Sequence, residues 1–264
     1  MQPFDFLGTL RHQLLLLAFL YPLALEGQAR KSGKIFSVTS STSSDARDLG
    51  VLAQAGELLA IGLGSELRFR VALRECGQAN MLYSPSDRTI VVCDEMRPLV
   101  TDAMAISDFR SARANGVAQT ERDPQSIDGI LVFIVLHEVG HALIAQRKIA
   151  VLGNEEDAAD GFAAWVLLRG ENLGHKPLIH ARNWLAVMQL FELAKNPPKE
   201  IEDFHRVHPF LGQRDHRLNC FLTGYAPEYA ELEESENERR RCRTEWRHLD
   251  AAWRQLLLRY QQRK

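Results

Sequence analysis

Several features that would send a reading elsewhere are scarce or missing in this chain. The formal net charge is only −2, so no basic surplus exists to hold a phosphate backbone, and no nucleic-acid partner is expected. No Cys-x-x-Cys pair occurs among the four cysteines, which removes ribbon-type zinc sites. The apolar run from Leu14 to Leu25 has about a dozen residues, against the roughly 20 that a membrane-spanning helix needs. No cysteine follows that run to carry a lipid, so neither an uncleaved anchor nor a lipid anchor is expected. Internal repeats are absent too, which excludes a stacked-repeat architecture.

What stands at the N-terminus has another meaning. Arg11 and His12 precede the apolar run and Gly27-Gln28-Ala29 follows it, the order of parts in a secretory signal peptide cleaved near Ala29. Residues 1–29 are therefore expected to be removed, leaving a secreted or periplasmic protein with no stable membrane insertion. All four cysteines lie beyond that segment, where an exported chain is free to oxidise them. Of the three possible connectivities, the order along the chain favours Cys76 with Cys93 across an expected hairpin, and Cys220 with Cys242 between two late helices. Closing a loop of that size contributes about 3 kcal/mol through chain entropy.

With a hydrophobic content of 45%, the remainder of about 235 residues suits one domain. The serine- and threonine-rich stretch over residues 30–44 lacks an apolar period and reads as a flexible leader, so the domain is placed at residues 45–264. Leu49, Leu52, Gly56 and Leu59 follow helical spacing. "SELRFRVALREC" then alternates Leu67, Phe69, Val71 and Leu73, a strand period. "NMLY" and "TIVVC" flank "SPSDR", whose Pro85 and Asp87 favour a turn. These pieces predict a small antiparallel sheet, and the chain beyond Pro98 reads mostly as helix, giving an α+β class. The last helix carries Cys242, Trp246, Leu249, Trp253, Leu256 and Tyr260 at alternating steps of four and three, a core-packing stripe.

Within "LVFIVLHEVGHALIAQRKI", residues 131–149, three ionisable groups interrupt an apolar helical run. Such groups are seldom buried unless paired or bound to a metal. His137 and His141 are four apart and share a helix face, with Cβ atoms roughly 5 to 6 Å apart. Glu138 lies one step round, where it reaches a water rather than the ion, and Gly140 keeps the adjoining surface low. This is the H-E-x-x-H arrangement of zinc hydrolases, with the glutamate as general base. The motif also arises by chance, so context decides. A turn at Gly153-Asn154 leads into "EEDAADGFAAWVLLRG", where Glu156 and Asp160 are again four apart. Catalytic zinc takes three protein ligands and keeps one position open. Glu156 is accordingly assigned as third ligand and Asp160 as hydrogen-bond acceptor for the outer nitrogen of His137. The rival account, that these acids merely suit a helix N-terminus, covers Glu155 and Asp157 but not Asp160.

These residues resemble the gluzincin group of zinc metallopeptidases, to which thermolysin belongs. The wider run is similar to a family of exported bacterial metallopeptidases described as a domain of unknown function, through "CGQAN", "TIVVC", "HEVGH" and "HPFLGQRDHRLNC". The likeness spans about Asp48 to Cys220. The interval from His141 to Glu156 is shorter than in thermolysin, which leaves the third ligand open between Glu155 and Glu156. The resemblance implies a zincin-like fold, one zinc ion per chain, a peptide or protein substrate, and hydrolysis by a zinc-activated water with Glu138 as base. It further points to His208, with His205 as runner-up, as donor to the tetrahedral oxyanion. An extended substrate is expected along a sheet edge supplied by Asn80 to Tyr83 or by Thr89 to Val92. The competing functions are an exported zincin-fold binding or scaffold protein whose metal is structural or absent, and a zinc hydrolase of a non-peptide amide. Nothing in the sequence bears on oligomeric state.

Overall fold

The computed structural model describes residues 35–40, 46–63, 68–115, 124–170, 175–195, 211–229 and 235–261. The expected signal peptide, His205 and His208 lie outside the described residues.

Four strands, β1 (Phe36–Ser40), β2 (Phe69–Arg74), β3 (Met81–Ser84) and β4 (Thr89–Cys93), form one sheet in the order β1-β2-β4-β3. The seven α-helices among the described residues are α1 (Ala46–Leu63), α2 (Met96–Asn115), α3 (Pro124–Arg147), α4 (Glu155–Arg169), α5 (His175–Lys195), α6 (Leu211–Tyr225) and α7 (Glu236–Gln261). The class is α+β as expected, with helix dominating the C-terminal half.

Three expectations need correction. The sheet is mixed rather than antiparallel: β1 pairs with β2 and β2 with β4 in parallel, and only β3 with β4 is antiparallel. The reason is the crossover through α1, which carries the chain from the end of β1 back to the start of β2. Secondly, part of the presumed leader over 30–44 is strand β1. Its anchor is two residues: Ile35 and Phe36 are buried, and the Ile35 carbonyl accepts the Phe69 N–H at 2.8 Å. Four exposed residues follow, which is why no apolar period was visible. Thirdly, Thr89 to Val92 cannot be a substrate edge, because β4 is bonded on both sides. Of the two expected segments, only the one in β3 lies at an edge of the sheet.

Helix α3 is the centre of the molecule. It packs against α1, α2, α4, α5, β3 and β4, and every residue from Gly129 to Gly140 is buried. The span Gln125–Arg147 is long and apolar enough to cross a membrane by composition, and 83% of its most apolar window is buried inside the protein. It begins at Pro124, since proline at the first helical position loses no intrahelical bond. Lys148, at φ 51°, stops it, and Ile149 N–H returns to the Ile144 carbonyl at 3.0 Å. The disulfides Cys76–Cys93 and Cys220–Cys242 both form as expected. The stripe on α7 is likewise a packing face, with Cys242, Trp246 and Trp253 buried against the core.

Candidate metal centre

Two helices build the site, and their approach is permitted by one glycine. On Gly140 of α3 an added Cβ would lie 3.0 Å from the Cα of Ala159 on α4, so the absence of a side chain lets the helix axes close. Helix α4 starts beside α3 because Asn154 caps it: the Asn154 side chain accepts the Glu156 N–H at 2.9 Å. The first turn of α4 then faces the polar end of α3.

His137, His141 and Glu156 converge, with one ligating atom of each lying within 4.8 Å of the others. The two Nε2 atoms are 3.1 Å apart. Glu156 reaches both, with Oε2 3.3 Å from His137 Nε2 and Oε1 3.3 Å from His141 Nε2. Each outer nitrogen is held from behind. His137 Nδ1 lies 2.7 Å from Asp160 Oδ1, and His141 Nδ1 lies 2.7 Å from Glu155 Oε1. Donation from Nδ1 to a carboxylate leaves the Nε2 lone pair facing inward, which is the tautomer a metal requires. This geometry decides between the two glutamates: Glu156 belongs to the convergent set, while Glu155 stands behind His141.

The donor set calls for a cation. Two imidazole lone pairs aimed at one point repel unless a positive charge lies between them. Burial alone would discharge His137, but its bonds to Asp160 and Glu156 and the nearby carboxylates outweigh burial and raise it to about 9. His141 is raised in the same way, burial being outweighed by Glu156 and Glu155. A small divalent ion suits the place that a proton takes in its absence, and imidazole with carboxylate is a donor set that holds divalent transition metals.

Glu138 is also buried, at 7% exposure. Burial pushes its carboxyl above the usual range, against the pull of His137, His141 and a backbone bond. That bond comes from the edge strand: Tyr83 N–H donates to Glu138 Oε2 at 2.7 Å. The Cys93 N–H bond to the Asn80 carbonyl at 3.1 Å sets the alternation along β3. Leu82 and Ser84 therefore turn their backbone groups toward β4, and Met81 and Tyr83 turn theirs to the free edge.

One participant escaped the sequence reading altogether. Arg214 on α6 forks onto Asp160, with Nε to Oδ2 and Nη2 to Oδ1 both at 2.7 Å. Burial would raise Asp160, yet the bonds from Arg214 and His137 bring it down to about 2. Arg214 lies within the "QR" of the late segment used for the resemblance, and no local period marked its role.

A family model described as "Putative metallopeptidase" matches residues 48–257. No curated protein and no solved structure matches the chain.

Proposed function

The chain belongs to that family of metallopeptidases, and from this premise we propose that it is an exported zinc-dependent peptidase with Glu138 as general base. The observation that carries the reading is the convergence of His137, His141 and Glu156, with each imidazole backed by its own carboxylate. A zinc ion held by these three residues supplies a Lewis acid that polarises a carbonyl and lowers the pKa of water. Glu138, beside that cluster with its pKa raised by burial, takes a proton from water and returns it to the leaving amine. The Tyr83 N–H fixes one oxygen of Glu138, which leaves the other for the proton. An extended peptide lies along β3 beside Glu138, its main-chain N–H groups donating to the outward Met81 and Tyr83 carbonyls, since the N–H groups of those two residues are held by Asn80 and Glu138. Export is supported by the N-terminal pattern of residues 1–29 and by two disulfides, which persist in oxidising compartments.

The test is Glu138→Gln. Hydrolysis of an unfolded protein is expected to fall by about 10²–10⁴-fold, with zinc content staying near that of the unaltered chain. Undiminished cleavage by that variant would show that another group is the base. Tight zinc without cleavage in the unaltered chain would favour a binding protein.

A further inference from the structure

We infer that Arg214 is a positioning residue of the metal centre, acting on His137 through Asp160. The inference rests on the metallopeptidase reading and deepens it. Asp160 is 2% exposed and Arg214 has a side-chain exposure of 12%. Asp160 Oδ1 accepts from Arg214 Nη2 and from His137 Nδ1, each at 2.7 Å, while Oδ2 is taken by Arg214 Nε. A two-toothed grip fixes the plane of the carboxylate, not merely its position. With that plane fixed, Oδ1 has one direction left for the imidazole, and the direction of Nε2 follows. Released from the guanidinium, a buried Asp160 is free to turn away from the ring. Among the described residues no guanidinium grips the acceptor of His141 in this way, and that acceptor, Glu155, has a side-chain exposure of 50%.

Helix α6 presents this group with little freedom. Asp215 pairs with Arg182 of α5 at 3.1 Å, Arg217 with Asp157 of α4 at 2.5 Å, and Cys220 is bonded to Cys242 of α7. Arg214 is thus not needed merely to seat α6, since neighbouring residues already tie it to three helices. The charge of Arg214 also gives the idea a sign. A cation close to a metal site repels the metal, so loss of its charge alone would tighten zinc binding. Positioning predicts the opposite.

The experiment is zinc affinity by competition with a chromophoric chelator. It compares the unaltered chain with Arg214→Met, Arg214→Lys, Asp160→Asn and the double variant, with circular dichroism confirming the fold. Arg214→Met is expected to weaken zinc by about 10-fold or more and to shift the visible bands of the cobalt-substituted protein. Arg214→Lys restores part of the loss. In the Asp160→Asn background the same arginine change is expected not to weaken zinc, because the route through Asp160 is already cut and only a repelling charge is lost. Arg182→Met, which removes a brace from α6 without touching this chain of contacts, leaves zinc affinity unchanged. If Arg214→Met does not fold, Arg214→Lys against the unaltered chain carries the comparison, since it keeps the charge but loses the two-toothed grip: weaker zinc supports the inference and equal zinc overturns it. Equal or tighter zinc in folded Arg214→Met overturns the inference alone. Failure of the unaltered chain to take up zinc overturns the proposed function with it.

Discussion

At the residue scale, the centre is a set of carboxylates with divided labour. Glu156 faces inward between both Nε2 atoms, Asp160 and Glu155 stand behind the rings, and Glu138 is held apart by a backbone N–H. Linkage turns this arrangement into a pH prediction. His137 in the metal-free protein has a pKa of about 9, against 6.5 for an unperturbed ring. Its contribution to stability is therefore fully present below pH 6.5 and is lost as pH rises through about 9. Asp160 runs the other way: lowered from 3.8 to about 2, it stabilises above pH 3.8, and that contribution disappears as pH falls through about 2. Because His137 still carries a proton at neutral pH, zinc uptake at about pH 7.5 should release at least about one proton per chain. Calorimetry in buffers of different ionisation enthalpy measures this, and binding heats that do not depend on the buffer would contradict it.

What was legible at this scale follows from helical spacing. Residues four apart share a face, so His137 with His141, and Glu156 with Asp160, could be placed before any coordinates. Glu155 was legible only as a rival ligand; its place behind His141 was hidden because acids are expected at a helix start anyway, and its bond to His141 adds no pattern of its own. Arg214 was hidden by distance, 54 residues from Asp160, since its place depends on how α6 folds back over α4.

At the scale of elements, the α3–α4 crossing sets the site. Gly140→Val puts a branched side chain where even a Cβ lies 3.0 Å from the Ala159 backbone. The helices must part, with an expected loss of about 1–3 kcal/mol in stability and weaker zinc binding. Chemical denaturation together with the chelator titration reads both, and an unchanged zinc affinity would place the control of the site elsewhere. The sheet was half legible for a related reason. Strand periods in β2 and the turn between β3 and β4 are local features, whereas strand order depends on a long crossover. The neighbour of β2 therefore could not be read, and β1 rested on Ile35 and Phe36 alone.

At the scale of the whole molecule, two disulfides pin the elements around the core. Cys76–Cys93 ties the end of β4 to the loop before β3, and Cys220–Cys242 joins α6 to α7. Replacing Cys220 and Cys242 together by serine opens a bridge of sequence separation 22. The expected loss is about 3 kcal/mol of unfolding free energy, seen as a lower denaturant midpoint. The central claim concerns one ion in a three-residue grip with an acid beside it, and one titration tests it. Metal is stripped from the protein with a chelator, zinc is returned in measured steps, and hydrolysis of an unfolded protein is followed. Activity is predicted to be absent at the start, to rise linearly, and to stop rising at one zinc per chain. Hydrolysis that persists in the stripped protein would contradict the account.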